Sequence, residues 1–250
     1  MGAGDEILVS ALARRAQLAD PRRVQILDRR GNPRRHWIWD GNPRIAQAGE
    51  EGDFQSIADG PGCRNYIERE LAGRWYWRAQ TNEPGELYLN PGELAFGAQH
   101  DPQIVIEPNL KPRASPNKQW PMERWLQLIR FVREEGYRVH QLGPAGTRPL
   151  KGATLIETPD FRKACAVLAR ARAFVGPDGG CHHAAAALGV PAVVIRGGFI
   201  SGRVTGYAGQ VDLFTGQELG CGMRTPCPCC AAAMGRITAV DVLDALKGIL

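Results

Sequence analysis

The spacing of apolar positions changes near residue 99. Beyond it, short runs rich in apolar residues at 103–106, 137–142, 154–156, 173–175, 192–195 and 211–214 predict strands. Between them, helices are predicted over 122–135, where the pattern is amphipathic, over 161–171 and 238–250, and over 181–188, an alanine-rich run that Gly189 can end. Apolar-rich runs suit strands covered on both faces, and their alternation with helices predicts a parallel, doubly wound α/β sheet. Before residue 99 the pattern is weaker. Ile7, Leu8, Ala11, Leu12 and Ala16 predict a helix over 6–18 following a Gly4-Asp5 turn, and 24–27 reads as a strand. Residues 42–62 are rich in Gly, Pro, Asp and Asn and read as loops, whereas 74–78 and 86–90 read as short strands, the first with Trp75 and Trp77 on one face. The polar stretch over 94–102 marks a boundary, giving units of 1–98 and 99–250.

The densest signal lies between Ala173 and Gly198. An apolar run breaks at Gly176-Pro177-Asp178-Gly179-Gly180, an alanine-rich helix starts near Cys181, and a second apolar run follows Pro191. This strand–loop–helix–strand order leaves the amides of Gly179, Gly180 and Cys181 at a helix N-terminus, a place suited to a phosphate. The same glycines would also serve a tight connection with no ligand.

Composition narrows the class. The 250 residues are 44% hydrophobic and 23% charged, as in an ordinary globular protein, and no apolar run reaches the length of a membrane span. An acidic pair where an export signal would need basic residues predicts a cytoplasmic protein. The net charge of +5 is uneven: residues 1–98 carry 13 arginines, no lysine and 14 acids, whereas 99–250 carry 18 basic and 12 acidic residues. The basic C-terminal part favours an anionic ligand. Arginine pairs at 22/23, 29/30 and 34/35 beside Trp37 and Trp39 suit a sugar, a nucleic-acid backbone or a solvated rim. Seven cysteines include Cys221, Cys227, Cys229 and Cys230. Adjacent Cys229 and Cys230 depart from the usual Cys-x-x-Cys metal bite, so a structural thiol cluster, rather than a metal, is expected there.

The order Val-Gly-x-Asp-x-Gly-x-x-His-x-Ala-Ala-Ala-Leu-Gly-x-Pro over 175–191 resembles the donor-domain signature of family 9 glycosyltransferases, the heptosyltransferase-like enzymes. Gly4-Asp5, the Lys118-Gln-Trp-Pro-x-Glu-Arg-Trp run, and the cysteine-rich segment before Met234 and Ile237 fall in the same order as in that family. The resemblance covers 99–250 well and 1–98 poorly. It implies a GT-B-like fold of two Rossmann-like lobes, the N-terminal one reduced: the acceptor side in 1–98 and the nucleotide-sugar side in 99–250.

The resemblance further implies Asp5 as the base that deprotonates an acceptor hydroxyl, where the residues alone also allow a helix cap. It implies Lys118, with Lys111 or Arg113 as substitutes, together with Asp178, Gly179, Gly180, Cys181 and His182 around a donor diphosphate. Between the two histidines, His182 is preferred over His183. The expected reaction is inverting, metal-independent sugar transfer from a nucleotide-diphosphate sugar to a saccharide or other hydroxyl acceptor, without a cofactor. Residues 144–151 hold no carboxylate for a donor ribose, which leaves the nucleotide open. Two alternatives stand beside this: a DNA-modifying glycosyltransferase acting on hydroxymethylated bases, with nucleic acid as a less favoured partner, and a nucleotide-sugar-binding protein without turnover.

Overall fold

A computed structural model describes residues 2–28, 30–47, 49–58, 64–111 and 114–250. Its centre is a six-stranded sheet of β5 (Ile104–Ile106), β6 (Val139–Gly143), β7 (Thr154–Glu157), β8 (Ala173–Pro177), β9 (Ala192–Gly197) and β10 (Gln210–Phe214), following four strands nearer the N-terminus. Their spatial order is β10-β9-β8-β5-β6-β7 and every pairing is parallel. The chain therefore starts in the middle, winds outward one way, returns and winds outward the other way. That leaves a crevice between the carboxyl ends of β5 and β8, where such sheets bind ligands.

The strands are apolar on both sides because both sides are covered. Val105, Phe174, Ala192 and Val194 face one core, while Ile104, Ile106, Ala173, Val175, Val193 and Ile195 face the other. Helices α4 (Phe161–Leu168) and α5 (Gly180–Ala187) cover the first face; α3 (Met122–Glu134) and α8 (Ala239–Lys247) cover the second. Two further helices lie on this side of the chain, α6 (Gly202–Thr205) and α7 (Pro228–Arg236), and neither is evident from apolar spacing. The helix expected over 161–171 ends at Leu168, where Ala169 and Arg170 close the last turn.

The N-terminal part is small. Helix α1 (Ala3–Ala19) stacks on α5, and its Ile7, Val9 and Ala13 join the first core. Strands β1 (Val24–Leu27) and β2 (Gln55–Ala58) form a two-stranded parallel sheet. Strand β2 lies inside the stretch expected to be loop; residues 59–63 beyond it are outside the described residues, as are Arg29 and Arg113. Strands β3 (Ile67–Leu71) and β4 (Arg74–Trp77) form an antiparallel hairpin. Ala72 and Gly73 both have positive φ at its two-residue turn, which matches the natural twist of a hairpin. The strand expected over 86–90 is absent. That segment runs as irregular chain into Asn90, whose side chain caps α2 (Pro91–Ala98). Helix α2 packs on α4 with Gly97 against the Ala166 carbonyl, so the boundary expected over 94–102 crosses a packed helix end.

Candidate active site

Three carboxyl ends of the large sheet and two N-terminal elements enclose a cavity of about 330 Å³. Glu107 follows β5, Pro177 to Cys181 link β8 to α5, and Phe199 and Ile200 follow β9; Asp5 of α1 and Trp75 and Trp77 of β4 close the other side. The loop after β6 contributes no lining residue. A larger hollow of about 610 Å³ lies between β4, the 216–221 segment and α7. It contains none of the predicted catalytic or diphosphate residues, whereas Asp5, Lys118, Asp178, Gly179, Gly180 and Cys181 all line the smaller cavity.

Asp5 is buried and lies within the first turn of α1, the helix beginning three residues earlier than the periodicity indicates. Its Oδ2 accepts from the Gly2 amide at 3.0 Å and from Arg64 Nε and Nη2 at 3.0 and 2.9 Å, and its Oδ1 accepts from Tyr66 Oη at 2.7 Å. Burial would raise the carboxyl's pKa, but Arg64, Tyr66 and the Gly2 amide outweigh burial and hold it below the usual range. The side chain thus caps the helix and lines the cavity at once. Neither Arg64 nor Tyr66 carries a sequence signal, since their contact with Asp5 spans about sixty residues of chain.

Gly4 has a packing role. A Cβ there would lie 2.3 Å from His183 Cδ2, so glycine is what lets α1 lie against α5. His183 lines the cavity, its Nδ1 2.6 Å from Tyr207 Oη. His182 does not line it. It is fully buried, with Nδ1 accepting from the Gly179 amide at 2.9 Å; the other nitrogen therefore carries the proton and donates to the Thr205 carbonyl at 3.0 Å. Counted along the motif from Val175 to Pro191, the histidine position is also 183. Burial depresses both imidazoles, His183 to about 4, so both are neutral near pH 7.

The same hydrogen bond removes Gly179 from the expected set of free phosphate donors. Gly180 and Cys181 remain, as first-turn amides that the helix cannot satisfy. Gly180 packs near Phe161, whose ring would lie 3.0 Å from a Cβ at this position.

Asp178 is a hub rather than an open ligand. Its Oδ1 accepts from Arg196 Nη1 at 2.9 Å and Thr205 Oγ1 at 2.7 Å, and its Oδ2 pairs with Lys118 Nζ. Burial opposes its ionisation, yet Lys118, His182 and Arg196 hold its pKa well below the carboxylate range. Arg196, fully buried in β9, also pairs with Asp212 and ties β10 to this hub. Lys118 sits at the end of a 3₁₀ turn, Pro116–Lys118, with Nζ 5.2 Å from the Phe199 ring centre. Lys118 and Asp178, paired with each other, both line the cavity.

Glu107, which sequence reasoning missed, lies at the crevice beside Cys181. Burial pushes its carboxyl up to about 7, partly offset by the Cys181 thiol donating to it. Aromatic rings supply the remaining wall. Trp77 meets Phe199 edge-on at 5.4 Å and Trp75 at 5.7 Å, and the guanidinium groups of Arg64 and Arg224 lie 5.5 and 5.0 Å from the Trp75 ring centre. Three arginines of the N-terminal pairs are engaged within the chain: Arg22 with Asp20 and Asp53, Arg23 with Glu50, and Arg34 with Glu6. No helix among the described residues is long and apolar enough to cross a membrane.

The sequence model of glycosyltransferase family 9 (heptosyltransferase) matches residues 78–224, which include Lys118 and Asp178 to His183 but not Asp5. No curated protein matches the chain in sequence. A family 9 glycosyl transferase from Veillonella parvula shares the fold over 100% of this chain and 94% of its own, with a TM-score of 0.69 and 14% identity. Escherichia coli ADP-heptose lipopolysaccharide heptosyltransferase II aligns with 72% of this chain at a TM-score of 0.50 and 21% identity. The iron-containing dodecameric glycosyltransferase TibC of enterotoxigenic E. coli aligns with 67% at 0.51 and 18%. The chain spans about half the length of these last two, 55% and 50%. With more than half its length matched by the family's own sequence pattern, and a GT-B-type α/β fold around the matched residues, this chain belongs to glycosyltransferase family 9, the heptosyltransferases.

Proposed function

We propose that the chain transfers a sugar from a nucleoside-diphosphate donor to a saccharide hydroxyl by single displacement, with inversion and without a metal at the reacting centre. One observation carries this reading: Asp5, Lys118 and the Gly180 and Cys181 amides border one cavity. Asp5 is ionised at neutral pH, and its Oδ1, with one hydrogen bond from Tyr66, keeps a lone pair for an acceptor hydroxyl. Because Arg64 and Tyr66 lower its basicity, proton transfer would come late, as the new C–O bond makes the hydroxyl acidic. The acceptor oxygen attacks the anomeric carbon, its proton passes to Asp5, and the bond to the nucleoside diphosphate breaks on the opposite side. Lys118 and the two amides then meet the charge that builds on the departing phosphate. Lys118 can turn to the donor while Arg196 keeps Asp178 ionised and paired. ADP-heptose is the first donor to test, given the named activity of the E. coli heptosyltransferase of this fold.

Asp5→Asn keeps the size and the capping oxygen but takes no proton; it should lower turnover about 100-fold or more while donor affinity holds. Lys118→Ala should weaken donor binding and turnover together. Steady-state rates beside donor calorimetry separate the two, and the product's anomeric configuration by NMR tests the displacement. Near-normal turnover in Asp5→Asn, or a retained anomer, overturns the scheme.

A further inference from the structure

The four cysteines set aside above as a thiol cluster converge in space. Cys221 and Cys227 Sγ lie 3.6 Å apart, Cys221 and Cys229 3.5 Å, and Cys227 and Cys229 2.9 Å, and the ligand atoms of all four, Cys230 included, fall within 4.8 Å of one another. None is in a disulfide. Four sulfurs around zinc at about 2.3 Å stand roughly 3.8 Å apart at the corners of a tetrahedron. Most of the observed separations need only small shifts to reach it, and the Cys227–Cys229 pair needs to open by about 0.9 Å.

The backbone explains how a Cys-x-Cys-Cys run can supply three ligands. Cys227 is the N-cap of α7, Pro228 starts it, and Cys229 and Cys230 fill its first turn, so the helix curls three thiols to one point. The amides of Cys229 and Cys230 donate to the Cys227 sulfur, as amides do around thiolate ligands. The fourth thiol arrives from a turn in which Gly220 and Gly222 both have positive φ, with Cys221 between them. Arg74 Nη2 lies 3.8 Å from Cys221 Sγ, a cation beside what would be a doubly negative tetrathiolate.

We propose that Cys221, Cys227, Cys229 and Cys230 bind one structural zinc ion, releasing thiol protons as it binds. Its role is to clamp two walls of the cavity. Asn117, next to Lys118, accepts from the Cys227 amide at 2.9 Å and donates to the Met223 and Thr225 carbonyls at 2.7 Å each. On the other side the Gly222 carbonyl accepts from the Trp75 amide at 2.9 Å. The cysteine turn thus joins the Lys118 turn to the tryptophan hairpin, and an ion at its centre holds both. The site stands apart from the sugar-transfer reading and contributes no group to the reacting centre.

Protein purified without chelator should carry about one zinc per chain by elemental analysis. Cys227→Ser and Cys230→Ser should each lose most of it. Should these variants fail to fold, the intact protein still decides. A mercurial should release zinc in proportion to thiols modified, and cobalt exchanged into the site should show the visible bands of a tetrahedral tetrathiolate. Metal-free protein with these thiols freely titratable, or a mass two hydrogens lighter from a disulfide among them, overturns the site. Stoichiometric iron overturns the choice of zinc.

Discussion

Glu107 shows how a single residue takes its properties from its surroundings. The end of β5 places its carboxyl in the crevice with a thiol as partner, and burial lifts its pKa from the ordinary 4.5 to about 7. The folded state therefore holds a proton that the unfolded chain gives up between about pH 4.5 and 7. Stability from this group is full at the acid end, falls as pH rises through that window, and is flat above it. Glu107→Gln mimics the protonated form, so it should melt higher than the parent at pH 8 and close to it at pH 5. Thermal unfolding at the two pH values checks this, and equal melting temperatures at pH 8 would show that the carboxyl titrates normally. Nothing in the local sequence marks Glu107; the crevice that desolvates it belongs to the topology.

At the scale of elements, the approach of α1 to α5 depends on Gly4, whereas Gly179 at the start of α5 leaves room for a side chain. Gly4 faces a ring that cannot yield, since His183 is held by Tyr207 and stacks on His182 with ring centres 3.9 Å apart. Gly4→Ala should cost about 1–3 kcal/mol of overpacking, more than the helix propensity it gains, and should shift His183 in the cavity. Gly179 is different: its backbone is extended, and the nearest atom to a Cβ is the Pro177 carbonyl at 3.9 Å. Gly179→Thr should leave stability within about 0.5 kcal/mol, as a hydroxyl suits this N-cap. Denaturant titrations of the two variants should separate them clearly. Sequence reading sets Gly4 in a turn before α1 and Gly179 at a ligand; the first is a packing requirement and the second has open space around it.

Across the whole molecule, the N-terminal part and the large sheet share one core and one buried ion pair. Arg162 of α4 meets Glu93 of α2, with Nη2 2.9 Å from Oε2, and its remaining donors reach the Trp37, Ile38 and Tyr88 carbonyls. Burial opposes ionisation of Glu93, and Arg162 together with the Asn90 amide more than offsets it, holding its pKa below the usual value. That contribution is present above about pH 4.5 and is lost on acidification. Arg162→Met should cost about 3–5 kcal/mol, because it strands a buried carboxylate and three carbonyls; Arg162→Met with Glu93→Leu should recover much of the loss. Urea unfolding of single and double variants tests this, and a single-variant cost below about 1 kcal/mol would mean that the pair does not hold the two parts together.

The large sheet was legible because its strands are buried on both faces, a burial that writes itself into residue choice as apolar-rich runs between helices. The glycine loop before α5 was legible for a similar local reason: a turn and a helix start are properties of neighbouring residues. The small strands were not. Strand β2 pairs with β1 across about thirty residues and is only half covered, so its pattern is faint. Segment 86–90 has the composition of a strand but finds no partner. In the site, it was the resemblance to family 9, carried by short motifs, that singled out Asp5, Lys118 and Asp178 as candidates. Which groups pair with them, and that His183 rather than His182 faces the cavity, are facts of tertiary packing, because each depends on atoms brought together from distant parts of the chain; the four thiols, by contrast, meet through a local turn and the first turn of α7.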